Sequence, residues 1–240
     1  LALLHLAMNF TTWFSTQWQA TLHFVGLGLL AVLLYPPRRS ERLARSRAML
    51  IVDLLFGLVV MAATVWLIGS EDAIYARGVE LTTFDQALAL ITIIGAVELV
   101  RRTTGWVIPV LIVLALTYVI WWGAWIDGVF RFAGLSPETV LFRSIFGDDA
   151  LFGTIAQISV SFVFMFILFG AFLVRSGAGE FVVALSKVLA GRIIGGPGLV
   201  AVFSSGLTGT ISGSAIANTV STGVITIPMM KRAGFPPQFA

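Results

Sequence analysis

The residues best suited to bind a ligand lie in one polar run, residues 204–223, with apolar segments on both sides. Fourteen of its twenty residues are Ser, Thr, Gly or Asn, although the chain as a whole is strongly apolar. At membrane depth, hydroxyl groups and irregular backbone are tolerated where they are buried in protein or line a cavity. The run is therefore predicted to form a binding site.

The spacing of the polar residues indicates the chemistry of that site. Ser212 and Gly213 are placed to cap a helix that begins near Ser214. Its first turns carry a polar stripe at i, i+4, i+7 and i+8, formed by Ser214, Asn218, Ser221 and Thr222. The N–H groups at such a helix start suit a carboxylate or phosphate, and carbonyl oxygens of irregular backbone before it suit Na⁺. The alternative is that these small residues only let helices pack closely.

The composition indicates which elements position this run. Of all residues 58% are hydrophobic and 11% are charged, against roughly 25% charged in soluble domains. With several apolar runs of about 20 residues, the chain is predicted to be all-α, a polytopic helical membrane protein. The predicted spans are 18–35, 49–69, 84–100, 105–125 and 152–174. The absence of Cys excludes disulfides, thiolate metal sites and cysteine nucleophiles.

The distribution of basic residues predicts the orientation of the spans. The 36–48 loop is expected to be cytoplasmic because it contains Arg38, Arg39, Arg42, Arg45 and Arg47. Basic loops beside spans also account for the net charge of +3 without a nucleic-acid partner. Residues 136–148 begin with Ser-Pro-Glu, which predicts a short interfacial helix. Residues 1–14 fit either the stump of an earlier span or an interfacial helix.

The polar run lies in a segment too short to cross a membrane twice. Arg192 precedes the segment and Lys231-Arg232 follow it, and both ends are expected on the cytoplasmic side. Between them lie 38 residues, whereas two spans need about 40 before any turn is counted. Residues 193–230 are therefore predicted to form a re-entrant helical hairpin with the polar run at its tip.

Four polar residues elsewhere are assigned structural roles. Asp53 and Glu98 lie within predicted spans but near Arg47 and the Arg101-Arg102 pair, so a salt bridge or a snorkelling position is favoured over a proton relay. His5 and His23 have no second ligand at i+3 or i+4, which favours interfacial or packing roles over metal binding.

The stretch Gly-Thr-Ile-Ser-Gly-Ser-Ala-Ile-Ala-Asn-Thr-Val-Ser-Thr-Gly and the residues after it, 209–240, resemble a known hairpin. They are similar to the first re-entrant hairpin of the large membrane subunit of tripartite ATP-independent periplasmic (TRAP) transporters. The resemblance is closest to fused permeases that pair with TAXI-type periplasmic binding proteins. It implies small-subunit-like helices over 1–104, a joining helix over 105–129 and the start of the large permease domain over 130–240. The chain is then an N-terminal fragment, with a second hairpin expected after Ala240.

The resemblance implies an elevator-type secondary transporter of a bacterial or archaeal inner membrane. Such a permease takes up organic anions, usually carboxylates, by Na⁺ symport from a periplasmic binding protein, with Na⁺ as the coupling ion and no cofactor. Carried over to this sequence, the motif assigns Ser212, Gly213, Ser214, Asn218 and Thr219 to the Na⁺ and substrate site. Ser221 and Thr222 join them on the polar stripe, and Ser212, Ser214 and Asn218 are the candidate Na⁺ ligands.

Two other classes of function are considered. An intramembrane hydrolase would use Ser212 or Ser214 as nucleophile, but the histidines lie far upstream and no Lys is near the tip, so no base is at hand. The chain is therefore not expected to be an enzyme. A non-transporting scaffold subunit would explain the spans but not the polar hairpin. No Arg or Lys lies between Arg192 and Lys231, so a cation that pairs with a carboxylate is expected from elsewhere.

Overall fold

The computed structural model describes residues 1–37, 47–190, 193, 195–212 and 215–240, and within these ranges it leaves out some side chains. Those side chains belong to Val174, Ile211, Ser212, Ala215, Ile216, Ala217, Val220 and Ser221. All regular secondary structure in the described ranges is helical. Four helices are long and apolar enough to cross a membrane: Thr16–Leu34, Arg47–Gly69, Thr83–Thr104 and Thr154–Leu173. The predicted all-α membrane class is confirmed.

The chain divides into two compact units, Leu3–Ser161 with Leu1 and Phe162–Ala240 with Ala2. The first contains α1 (Ala2–Phe10), α2 (Thr16–Leu34), α3 (Arg47–Gly69), α4 (Glu71–Ala76), α5 (Thr83–Thr104), α6 (Val107–Ile120), α7 (Pro137–Phe146) and α8 (Thr154–Ile158). A π-helical turn, Ser159–Val163, follows α8. The second contains α9 (Phe164–Arg175), α10 (Ala178–Ala190), α11 (Gly196–Ser212) and α12 (Ala215–Arg232). The domain boundaries at 104/105 and 129/130 stay predictions, because the two compact units are defined by contacts within the chain and not by correspondence to transporter subunits.

The predicted span 105–125 is helical over only part of its length. α6 has 14 residues, and a short 3₁₀ turn, Trp122–Trp125, replaces its expected last turns. The chain then folds back on the helix end: Phe132 N–H donates to Gly123 O at 3.0 Å, and Leu135 N–H donates to Val119 O at 2.9 Å. Because the aromatic residues after Ile120 are as apolar as a span, hydropathy alone did not mark this turn.

Three helices of the first unit, α2, α3 and α5, form a closely packed bundle. Small residues set the spacing, as is usual between helices in membranes. Gly28 faces Met61, Gly57 faces Val32, and Gly95 faces Val60. A Cβ on Gly95 would lie 2.6 Å from Val60 Cγ2 and 3.0 Å from Val60 Cβ. The β-branched Val60 has little rotamer freedom in a helix, so α5 has no room for a larger residue here.

Gly95→Ala is expected to destabilise the first unit by about 1–3 kcal/mol, the usual cost of overpacking a core. Gly206→Ala is the matched control, because a Cβ at Gly206 in α11 would meet nothing within 4 Å and Ala favours helix by about 1 kcal/mol. Thermal unfolding in detergent should show a lower midpoint for Gly95→Ala only. Equal midpoints for the two variants would contradict the close α3–α5 contact.

One end of α5 is fixed by charged and polar side chains. Thr82 and Asp85 form a reciprocal capping box, and Arg77 pairs with Asp85 at 2.6 Å. Glu138, in the first turn of α7, accepts a hydrogen bond from Leu81 N–H at 2.9 Å. α7 has the predicted N-cap, since Ser136 Oγ accepts from Thr139 N–H at 3.2 Å. The helix predicted over 136–148 is thus present, and its interfacial position stays a prediction.

A partly buried network of ion pairs lies at the other end of α5, with the Arg102–Asp53 pair as its buried part. Arg102 pairs with Asp53 of α3 at 2.6 Å and with Glu98 at 2.9 Å, while Arg101 pairs with Glu98 at 2.6 Å. Arg101 also donates to Pro37 O at 3.0 Å. The salt-bridged roles predicted for Asp53 and Glu98 are confirmed, with Arg102 as the partner of Asp53.

The two histidines contact each other in the first unit. His5 Nε2 lies 2.7 Å from His23 Nδ1, and His23 Nε2 lies 3.0 Å from Ser159 Oγ. His5 Nδ1 lies 3.0 Å from Leu1 O, which can only accept. When both rings are neutral, His5 Nδ1 therefore donates to Leu1 O, His23 Nδ1 donates to His5 Nε2, and Ser159 Oγ donates to His23 Nε2. Burial lowers the pKa of His5 below its ordinary value, which favours this neutral arrangement and agrees with the predicted packing role.

Candidate functional site

The hairpin predicted over 193–230 is formed by α11 and α12, which pack extensively against each other. α12 begins at Ala215, one residue after its predicted start. The two arms have 17 and 18 residues, so at about 1.5 Å per residue they are about 26 and 27 Å long. Each arm is shorter than the hydrocarbon core of a bilayer, which is about 30 Å thick.

The polar run before the tip is helical and not irregular. α11 continues to Ser212, and its hydroxyl groups bond to carbonyls of their own helix, as Ser and Thr side chains commonly do. Thr210 Oγ1 donates to Leu207 O at 2.7 Å, and Ser204 Oγ donates to Ala201 O at 3.2 Å. The irregular backbone was predicted just before the helix that begins near Ser214; Gly213 and Ser214 lie outside the described residues, so the carbonyl ligands stay a prediction.

Asn218 links the two arms of the hairpin. Its Nδ2 donates to Ser205 O at 2.9 Å and to Ser205 Oγ at 3.0 Å. Gly209 makes room for it, because a Cβ there would lie 3.2 Å from Asn218 Nδ2. Asn218 lies inside the hairpin, as the sequence indicates, and its role at the Na⁺ and substrate site stays a prediction. Its pairing with Ser205 depends on the relative register of α11 and α12, so no signal along the chain predicted it.

The other predicted site residues are only partly described. Thr222 is buried, and its Oγ1 donates to Asn218 O at 2.7 Å, whereas Thr219 is exposed. Gly213 and Ser214 lie outside the described residues, as do the side chains of Ser212 and Ser221. Of the predicted set, the structure therefore brings together Asn218 and Thr222. Among the described residues, no cluster of three or more His, Cys, Asp and Glu side chains is placed to hold a metal ion.

A cavity of about 480 Å³ opens inside the second unit, beside these residues. Its walls come from all four helices of the unit and from the turn between α9 and α10. They consist of Arg175, Ser176, Gly177, Gly179, Glu180, Val183, Thr208, Thr222 and Ile225. We call it the Arg175 cavity. Thr222 is the one member that the sequence assigned to a site.

The Arg175 cavity combines opposite charges with buried hydroxyl groups. Arg175 and Glu180 are exposed, whereas Thr208 and Thr222 are buried. Sequence reasoning missed Arg175, Glu180 and Thr208 as candidate site residues. Arg175 directly follows the predicted span 152–174, where basic residues are common, and Thr208 is one of many hydroxyls in the polar run. Buried hydroxyl groups and charged side chains around one cavity can hold a small polar solute.

Comparisons with known proteins agree with the membrane fold. Residues 90–240 match the family model described as "Tripartite ATP-independent periplasmic transporter, DctM component". Of its relatives, a C4-dicarboxylate TRAP transporter large permease protein of Rhodobacter capsulatus is 34% identical over 89 residues, which cover 37% of this chain and 20% of that protein. A 2,3-diketo-L-gulonate TRAP transporter large permease protein of Escherichia coli is 34% identical over 71 residues, 30% of this chain and 17% of that protein. The chain thus spans about a fifth of the length of these relatives. No solved structure is significantly similar to it.

Proposed function

Since this chain belongs to the DctM family of tripartite ATP-independent periplasmic transporters, we propose that it forms part of the permease of an uptake system for organic anions. The permease lies in an inner membrane and receives its substrate from a periplasmic binding protein of the TAXI type. Transport is a Na⁺ symport with an elevator-type movement. The family consists of transporters and not of enzymes, so the hydrolase alternative is dropped.

The observation that carries this proposal is the polar hairpin inside an apolar chain. Asn218 ties α12 to α11 through two hydrogen bonds, and both arms are shorter than a full span. In secondary transporters, broken helices near the bilayer midplane supply helix ends and polar groups to substrates and coupling ions. We assign the Na⁺ and substrate contacts to the hairpin tip, with Ser212, Gly213, Ser214, Asn218, Thr219, Ser221 and Thr222 as the candidate residues.

The choice of Na⁺ over H⁺ is supported by the composition of the hairpin. Residues 193–230 contain no Asp, Glu, His, Lys or Arg. A proton carrier needs a titratable group, whereas Na⁺ is bound by hydroxyl, amide and carbonyl oxygens. The choice of carboxylates is supported by the two relatives, whose names refer to a C4-dicarboxylate and to a diketogulonate.

Uptake of labelled carboxylates into proteoliposomes tests the proposal. The vesicles should contain the natural full-length protein that includes this chain, and the cognate binding protein should be added outside. We expect uptake to need both the binding protein and an inward Na⁺ gradient. The rise over vesicles without the gradient should be at least about fivefold, the lower end of typical coupling free energies of about 1–3 kcal/mol. Uptake driven by a pH gradient alone would contradict Na⁺ coupling. No uptake under either gradient would favour the scaffold alternative.

A further inference from the structure

We infer that the Arg175 cavity, which shares Thr222 with the residues assigned to the hairpin tip, binds a small organic anion through its carboxylate. The inference rests on the proposed function for the choice of carboxylates as ligands. Its volume of about 480 Å³ lies within the range of about 300–1,000 Å³ that is typical of small-molecule sites. Three independent features of its wall favour an anion.

The first feature is the start of α10, a helix of 13 residues. Gly177, which directly precedes α10, lines the cavity together with Gly179 and Glu180 of its first turn. A Cβ on either glycine would meet nothing within 4 Å, so the backbone is open to a ligand. The first i→i+4 bond runs from Phe181 N–H to Gly177 O at 3.1 Å. The preceding N–H groups therefore have no partner within the helix, and they favour an anion together with the helix dipole.

The second feature is a buried hydroxyl group. Thr208 is only 5% exposed, and within the described part of the chain its Oγ1 has no hydrogen-bond partner. Leaving a buried hydroxyl unpaired is unfavourable, and a ligand oxygen in the cavity would supply the partner. Thr222 cannot donate a hydrogen bond to the ligand, because its hydroxyl already donates to Asn218 O. Thr208 is therefore the deep donor of the site.

The third feature is charge. Arg175 ends α9 at the cavity, and its guanidinium matches the geometry of a carboxylate. It supplies the cation that the hairpin itself lacks. Glu180 lines the same cavity and opposes an anion, so it should weaken binding. Val183 and Ile225 line the wall with apolar surface, which suits the carbon skeleton of the ligand.

Equilibrium binding of radiolabelled succinate to the full-length protein in detergent, without the binding protein, tests the site. We expect Arg175→Gln to weaken binding at least tenfold and Thr208→Val to weaken it several-fold. Thr208→Ser, which keeps the hydroxyl, should bind like the wild type. Glu180→Gln is the control of opposite sign, since the loss of its negative charge should tighten binding several-fold. Size-exclusion profiles and melting temperatures identify any variant that fails to fold.

The outcomes separate this inference from the proposed function. Unchanged succinate affinity in folded Arg175→Gln, or no binding of succinate, fumarate or glutamate by the wild type, overturns the inference. Competition by inorganic phosphate as strong as that by unlabelled succinate overturns the assignment to carboxylates. If Na⁺-driven uptake persists in each of these cases, the proposed function stands without the Arg175 cavity. If Arg175→Gln loses succinate binding but the wild type shows no Na⁺-driven uptake, the cavity stands and the symport proposal falls.

Discussion

Na⁺-driven uptake is expected to fall at least about tenfold when Asn218 is replaced by Ala. The change removes both hydrogen bonds from Asn218 Nδ2 to Ser205, at 2.9 and 3.0 Å, and leaves a gap beside Gly209. Bonds of this kind contribute about 0.5–1.5 kcal/mol each, and about 1.4 kcal/mol corresponds to a factor of ten. A hairpin whose arms are no longer tied should lose the geometry of its tip. Initial uptake rates in proteoliposomes measure the effect.

Two neighbouring variants serve as controls for Asn218→Ala. Ser205→Ala removes only the hydroxyl acceptor and keeps the backbone carbonyl, so its loss of uptake should be smaller. Gly209→Ala should interfere with Asn218, because the new methyl group would lie 3.2 Å from Asn218 Nδ2. Normal transport by correctly folded Asn218→Ala would show that the polar stripe only packs the hairpin, and the site residues assigned to the tip would be wrong.

The largest loss of stability is expected from Arg102→Ala. The Arg102 side chain is only 4% exposed and pairs with Asp53, 9% exposed, and with Glu98. Removing it leaves Asp53 buried without its charge partner, and breaking a buried pair in this way typically costs about 3–5 kcal/mol. Denaturant titration of the purified full-length protein in detergent measures the change in unfolding free energy.

A matched variant tests whether charge is the cause. The neighbouring Arg101 side chain is 20% exposed, and its acidic partner among the described residues is Glu98, so Arg101→Ala should cost less than Arg102→Ala. The double variant Asp53→Asn, Arg102→Gln removes both charges of the pair and keeps polar side chains at the two positions, and it should recover part of the loss. Equal stability of the wild type and Arg102→Ala would show that the network does not stabilise the fold.

Several elements were predictable because their causes are local. In lipid every backbone polar group must be satisfied internally, so a long apolar run becomes a helix. The helices Thr16–Leu34, Arg47–Gly69 and Thr83–Thr104 follow the predicted runs closely. Ser136 caps α7 through a neighbour three residues away.

Other features were not predictable from local patterns. The end of α6 reads as a span, yet Phe132 and Leu135 fold back on it. The hydroxyl groups of the polar run suggest irregular backbone, yet Thr210 and Ser204 bond to their own helix. In both places, the same residue types are compatible with two backbone conformations, and contacts that form only after folding select one of them.

The sequence by itself determined the membrane class, most span positions and the helical hairpin that contains Asn218. Only the tertiary structure decided that Asn218 meets Ser205, that Asp53 meets Arg102, and that Arg175 shares a cavity with Thr208. The reason is physical. Hydropathy and capping depend on residues a few positions apart, whereas these pairings depend on the register and spacing of separate helices, which the packing of small residues between them establishes.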